Sequence, residues 1–181
     1  NWIAQLNDQT EIADMVLSLG HLLRTSIDSN TLFLPVKDEL DLVRDYVLIQ
    51  TVRYGDRLCT RIQASENALR VPIPKLTLQP LVENSIKYGL DRASGPLLVE
   101  ISATAETDQL TITVADDGPG MPQERASLLA EGMIEPQGSG IGFKNIRDRL
   151  LRIYGPAASV AVSSAPGTGT RVEITIGVAK A

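Results

Sequence analysis

Aromatic rings, histidine, cysteine and positive charge are all in short supply in this 181-residue chain. Aromatics amount to 4%, so the core must be aliphatic and stacking on rings is a poor means of holding a ligand. One cysteine, Cys59, and one histidine, His21, exclude a disulfide framework and leave too few ligands for a zinc site. The single thiol fits a reducing, cytoplasmic setting. With 17 basic against 22 acidic residues the net charge is −5, which argues against nucleic acid held by phosphate neutralisation. Any polyanionic ligand has to be held locally, against the overall charge. No apolar run has the length of a membrane span, and no signal-peptide pattern is visible. The chain lacks an initiator methionine and opens inside a helical pattern at Asn1-Trp2-Ile3. It reads as a piece of something longer, so the missing anchor concerns the piece alone.

What is present is enough apolar residue, 43%, to fold and bury a core. Ile12, Met15, Val16, Leu19, Leu22, Leu23 and Ile27 recur at helical spacing. Asp28-Ser29-Asn30 ends that helix. A second helix starts near Pro35, with Asp38 and Glu39 in its first turn. It carries two apolar stripes: Val36, Leu40, Val43 and Val47, and separately Leu42, Tyr46, Ile49 and Val52. A helix that buries two faces needs two neighbours. The first helix supplies one; the other is either the rest of the chain or a second copy.

Past residue 57 the period changes. Arg57 to Ala64 alternates as a strand, and Thr77 to Leu90 returns to helix, with Leu78, Leu81, Val82, Ser85 and Ile86 on its apolar side. Residues 97–105 and 109–115 read as strands about a polar turn. Residues 117–142, rich in Gly and Pro, read as a long functional loop. Lys144 to Ile153 reads as a helix, and 159–164 with 170–176 as a closing hairpin. The expected architecture is α+β: a helical hairpin at 1–56, then a two-layer sandwich at 57–181 with one mixed, mostly antiparallel sheet and helices on one face.

Three clusters carry chemistry. In Glu83-Asn84-Ser85-Ile86-Lys87-Tyr88-Gly89, helical spacing puts Asn84, Lys87 and Tyr88 on one polar face. An amide oxygen suits Mg²⁺, and a lysine one turn on can meet phosphate. A solvated helix face is the plainer account. Asp116-Asp117-Gly118-Pro119-Gly120 follows a strand; a carboxylate there can accept from an exocyclic amine, and glycines allow close backbone approach. A plain tight turn explains the same residues. Gly138-Ser139-Gly140-Ile141-Gly142 runs into a helix N-terminus, where backbone N–H groups can hold phosphate. No strand precedes it and no βαβ alternation surrounds it, so it is not a dinucleotide fingerprint; a flexible hinge is the alternative.

The order of these clusters, closing with Gly167-Thr168-Gly169-Thr170, is more telling than any one of them. Residues 70–178 resemble the ATP-binding domain shared by histidine kinases, gyrase, Hsp90 and MutL. The narrower resemblance is to sensor histidine kinases of the LytS/YesM type. Gln79-Pro80-Leu81-Val82-Glu83-Asn84-Ser85-Ile86-Lys87 resembles that family's asparagine box, and Asn145-Ile146-Arg147-Asp148-Arg149-Leu150 the helix after its second glycine box. Leu22-Leu23-Arg24, Tyr46-Val47-Leu48-Ile49-Gln50 and Arg53-Tyr54-Gly55-Asp56-Arg57-Leu58 resemble its helical hairpin.

The resemblance implies that Asn84 holds Mg²⁺ on the ATP phosphates, that Lys87 and Tyr88 contact those phosphates, and that Asp116 binds the adenine amine. It implies a base pocket shaped by Gly118 and Gly120, a lid formed by Gly138, Gly140 and Gly142, and Thr170 near adenine through water. Glu83 either assists proton handling or pairs with Lys87. Tyr88 stands where many of the narrow family have histidine, and Phe143 where leucine is common. The family's phosphorylated histidine lies in a Pro-His-Phe segment whose following run ends at the position of Asn1. The acceptor is therefore expected upstream of this chain, and the chain is expected not to autophosphorylate. A response-regulator receiver domain, a second copy through the hairpin and a membrane-anchored parent are the implied partners and setting. An ATPase of the gyrase, Hsp90 or MutL kind, or a non-catalytic nucleotide-sensing module, are the alternatives. His21 has no matching motif and is expected to be a surface or packing residue. Cys59 is expected to be buried within its strand, and Trp2 to pack in the bundle.

Overall fold

A computed structural model describes residues 2–92, 95–133 and 141–178. Helix α1 spans Trp2–Ile27, ten residues ahead of the first apolar repeat that signals it. It ends where the Asp28 carboxylate takes the N–H of Asn30, a local bond that competes with helix continuation. The side chain of Trp2 lies outside the described residues. A three-residue strand, β1 (Phe33–Pro35), leads directly into α2 (Val36–Tyr54). After one 3₁₀ turn come β2 (Leu58–Ala64), the single-turn α3 (Glu66–Leu69) and β3 (Pro72–Pro74). β1 and β3 pair antiparallel, Phe33 opposite Pro74 and Pro35 opposite Pro72. Neither strand is foreseeable from its prolines, which belong on edges; a two-stranded ribbon has nothing but edges.

The rest is α4 (Gln79–Arg92), β4 (Leu97–Glu106), β5 (Gln109–Asp116), α5 (Gln123–Ala130), α6 (Ile141–Tyr154), β6 (Ala158–Ser164) and β7 (Thr170–Gly177). The sheet order is β2-β4-β5-β7-β6. Only β2 runs parallel to its neighbour; the other three pairings are antiparallel, so the expected mixed, mostly antiparallel sheet is what forms. One correction concerns residues 117–142: the stretch read as loop contains α5. Gly and Pro at both ends masked the short helical pattern between them.

Alternation along the strands sorts the two faces. Leu97, Val99, Ile101 and Ala103 of β4, with Leu110, Ile112 and Val114 of β5, are buried. They share one core with Val82 and Ile86 of α4 and Ile146 and Leu150 of α6. The opposite face carries Arg61, Glu100, Ser102, Thr113 and Arg171, and is polar. Val36, Leu40 and Val43 of α2 belong to the main core, so the rest of the chain takes that stripe of the helix. Cys59 corrects a second expectation. It is exposed, because alternation on the edge strand β2 buries Leu58 and turns its neighbour outward. Ser85 corrects a third, since it faces Asp116 rather than the apolar core. Among the described residues no helix is long and apolar enough to cross a membrane.

Candidate functional site: a cleft between the sheet end and three helices

Register builds the floor of the site. β5 pairs with β7 so that Asp116 stands opposite Thr170, and with β4 so that it also stands opposite Val99. The carboxylate is thus delivered to the end of a central strand. Its Oδ1 accepts the backbone N–H of Gly118 at 3.0 Å and of Thr170 at 3.2 Å. The Ser85 hydroxyl of α4 hydrogen-bonds the same side chain. Burial pushes the Asp116 carboxyl above its ordinary value. The bonds from Ser85, Gly118 and Thr170 pull it back only in part, and neighbouring Asp117 adds to the rise. Asp117 is itself turned outward and takes the N–H of Leu98 at 2.7 Å, which fixes the turn.

Two glycines hold the loop against the β6–β7 turn. Gly120 has φ +62°, and a Cβ there would sit 2.1 Å from the Ala165 carbonyl oxygen. Gly169 has φ +81°, and a Cβ would sit 1.8 Å from the Asp116 carbonyl oxygen. No side chain fits either position. Ser164 staples the two turns together. Its hydroxyl donates to the Gly169 carbonyl at 2.7 Å and accepts from the Met121 N–H at 2.9 Å.

Above this floor a cleft opens between α4, α5 and α6. Asn84, Ser85 and Tyr88 line it from α4, Asp116 and Thr170 from the sheet end, and Phe143 from α6. Gly120 also lines it, while Gly118 is buried just behind Asp116. The spacing of Asn84 and Tyr88 therefore does place them together on the cleft-facing side of α4, both half-buried. Lys87 and Glu83 do not line the cleft. The Lys87 ammonium lies 5.5 Å from the Tyr88 ring centroid, and Glu83 is exposed within electrostatic reach of the Tyr46 hydroxyl on α2. Gly142 sits in the first turn of α6, where a Cβ would come within 3.3 Å of Pro80. Gly138 and Gly140 lie outside the described residues.

Sequence reasoning missed Met121, Arg125 and Leu129, which also line the cleft. The signal was the run Glu124-Arg125-Ala126-Ser127-Leu128-Leu129, a short amphipathic turn hidden among loop residues. Arg125 adds a cationic residue to the cleft lining. Among the described residues no cluster of three His, Cys, Asp or Glu side chains could cage a metal.

Residues 72–180 match the family of histidine kinase-, DNA gyrase B-, and HSP90-like ATPases. The chain belongs to that family. Residues 1–58 match the histidine kinase family as well. The sensor histidine kinase YesM of Bacillus subtilis is 39% identical over 176 residues, covering 97% of this chain and 29% of that protein. The sensor protein kinase HptS of Staphylococcus aureus is 30% identical over 160 residues, covering 87% of this chain and 30% of that protein. This chain thus spans about three-tenths of the length of these curated relatives. In structure, the catalytic domain of histidine kinase ThkA aligns with a TM-score of 0.62 at 19% identity, covering 81% of this chain and 98% of that one. The histidine kinase domain of the blue-light activated kinase EL346 of Erythrobacter litoralis aligns at 0.59 and 20%, covering 93% and 75%. The fold is that of a histidine kinase catalytic domain, and the chain carries the ATPase domain characteristic of these kinases.

Proposed function

We propose that this chain is the catalytic part of a two-component sensor histidine kinase. It binds Mg–ATP in the cleft above Asp116 and presents the γ-phosphoryl to a histidine upstream of residue 1. A response-regulator aspartate then takes the phosphoryl group. The observation that carries this reading is Asp116 itself: a half-buried carboxylate at a strand end, one oxygen committed to backbone N–H groups, lining a cleft that Asn84 also lines.

Each side chain has a task in this reading. Asp116 accepts from the adenine amine, with Gly118 and Gly120 leaving room for the base and Thr170 beside it. Asn84, on the cleft lining, would hold Mg²⁺ through its neutral amide oxygen, and the ion would supply charge neutralisation to the phosphates; a single amide ligand fits an ion that otherwise keeps water and phosphate ligands. Tyr88 and Arg125 meet the phosphates from the cleft lining and Lys87 from beside it, where the phosphate end leaves the cleft, and Gly138, Gly140 and Gly142 close the lid. Glu83 handles the proton at the acceptor or pairs with Lys87. The protein's contribution to phosphoryl transfer is positioning and charge neutralisation.

In the same reading residues 1–56 are the remainder of a dimerisation and phosphoacceptor region, and 57–181 the ATP-binding domain. Ile12, Val16, Leu19 and Leu23 leave an apolar stripe exposed along α1, which supports a second copy packing there in the intact protein. His21 is paired through Nδ1 with the Asp45 carboxylate at 2.5 Å, across the hairpin, which supports its assignment as a packing residue. The parent protein is membrane-anchored, with this part on the cytoplasmic side.

The test is a titration of Mg–ATP against wild type and Asp116→Asn, with a phosphohistidine assay on each. Saturable binding in wild type, lost in the variant, without acid-labile phosphate on the chain, is the expected result. No binding by wild type overturns the reading.

A further inference from the structure

Glu39 is a charged side chain with none of its surface exposed. It projects from the first turns of α2 into the segment that leads to α4. Its Oε1 accepts the N–H of Leu76 at 2.6 Å, and its Oε2 accepts those of Thr77 at 2.8 Å and Leu78 at 2.9 Å. Three successive backbone donors converge on one carboxylate, ahead of the positive end of the helix. Leu78 caps that helix, its carbonyl accepting from Leu81 and Val82, both at 3.1 Å. Leu76 is held at φ +58°, a conformation a leucine adopts only when its surroundings enforce it.

Arg149 of α6 grips the same segment from the other side. Its Nη2 donates to the Leu76 carbonyl at 3.1 Å and to the Thr77 hydroxyl at 3.2 Å. Burial pushes the Glu39 carboxyl up; the three N–H groups and Arg149 oppose it. Burial pulls the Arg149 guanidinium down, and Glu39 opposes that in turn. The buried Nε of Arg149 has no hydrogen-bond partner among the described residues, so its Nη2 contacts with residues 76 and 77 and the nearby Glu39 charge are what oppose its desolvation. Residues 76–78 are therefore clamped between a helix of the N-terminal hairpin and the helix that follows the second glycine cluster. Two turns beyond the clamp α4 presents Asn84 and Ser85 to the cleft, and α6 presents Phe143.

We infer that Glu39 and Arg149 are positioning residues for the nucleotide cleft: they lock the entry of α4 between α2 and α6, so that a displacement of α2 is felt at Asn84 and Phe143. The inference rests on reading the cleft as the Mg–ATP site. It assigns a route by which the hairpin and the cleft sense each other, and linkage makes the route run both ways.

The experiment uses the full 181-residue chain, ¹⁵N-labelled, as wild type, Glu39→Gln and Glu39→Asp. Amide spectra are recorded with and without Mg–ADP, alongside thermal melts. Both variants are expected to shift the amide signals of Asn84, Ser85 and Phe143 while leaving Val162 in β6 unmoved. Nucleotide affinity should fall about tenfold, as for loss of a charge-assisted hydrogen bond. Mg–ADP should in turn shift the Leu76 to Leu78 amides of wild type. A variant with a lowered melting point but wild-type Asn84 and Phe143 signals and wild-type affinity overturns the inference, because Glu39 then acts on stability alone. If wild type binds no nucleotide, the ATP reading fails, and the Asn84 and Phe143 shifts alone still decide the positioning role. Should Glu39→Gln and Glu39→Asp both fail to fold, Arg149→Lys, which keeps the charge and loses the planar fork, is read by the same signals.

Discussion

Asp116 and Thr170 face each other across β5 and β7, and the Thr170 backbone N–H donates to Asp116 Oδ1 at 3.2 Å. One oxygen of the carboxylate is thereby occupied by the scaffold. Asp116→Asn keeps an oxygen for these N–H groups and removes the charge. It should lower Mg–ATP affinity about 10- to 100-fold, in line with hydrogen bonds to charged groups of about 1.5–3 kcal/mol. Calorimetric titration of both proteins measures this.

The pH dependence follows from the raised Asp116 pKa. Its ordinary value is 3.8 and burial lifts it. Mg–ATP affinity should decline on acidification at a pH above 3.8, and this step should be missing from Asp116→Asn. Stability runs the other way. A carboxyl raised on folding stabilises below its unfolded pKa, and that contribution is lost as pH rises through the folded one. Across the window that opens at 3.8, the melting point of Asp116→Asn should therefore rise relative to wild type.

Gly169→Ala should destabilise the chain by about 1–3 kcal/mol, since φ +81° is strained for alanine and its Cβ would strike the Asp116 carbonyl. Because the clash lies on Asp116, nucleotide affinity should fall in the same variant. Urea denaturation and nucleotide titration read the two effects. Gly167→Ala, with open space at its Cβ and φ +79°, should cost stability through strain alone and spare the affinity.

Tyr46, half-buried on α2, has its phenol pushed up to about 12, by burial first and then by the Glu83 charge. Tyrosinate absorbance should show a late step near pH 12 that Tyr46→Phe removes. As the folded pKa exceeds the ordinary 10.0, the neutral phenol's stabilising contribution is lost as pH rises through that step. Glu83→Gln should move the step to lower pH.

Arg125→Ala should weaken binding of Mg–ATP about 3- to 10-fold and leave adenosine unaffected, as expected for a partly solvated cation facing phosphate. Parallel titration with the two ligands separates a phosphate contact from a base contact.

Helical and strand periodicity, the three glycine- and asparagine-bearing clusters and their order all sit in the primary structure, because each depends on neighbours within a few residues. That sufficed for α1, α2, α4, α6 and the strands of the main sheet, and for bringing Asn84, Tyr88, Asp116, Gly120 and Thr170 to one place by motif. It did not suffice for α5, whose short apolar turn is flanked by breakers, nor for the β1–β3 ribbon, whose prolines argue against strands locally. Nor did it suffice for Cys59, whose exposure depends on which face of β2 meets the helices, and alternation alone does not say which.

The sequence alone, then, determined the long helices, the strands of the main sheet and the chemistry available to a ligand. Tertiary structure decided which donors meet which acceptors. Register set Asp116 opposite Thr170, the fold of 117–133 brought Arg125 to the cleft, and packing buried Glu39 beneath residues 76–78 with Arg149 beside it. Those hydrogen-bonded pairings join residues 37 to 73 positions apart in the chain. At such separations a contact exists only once the core has closed around it.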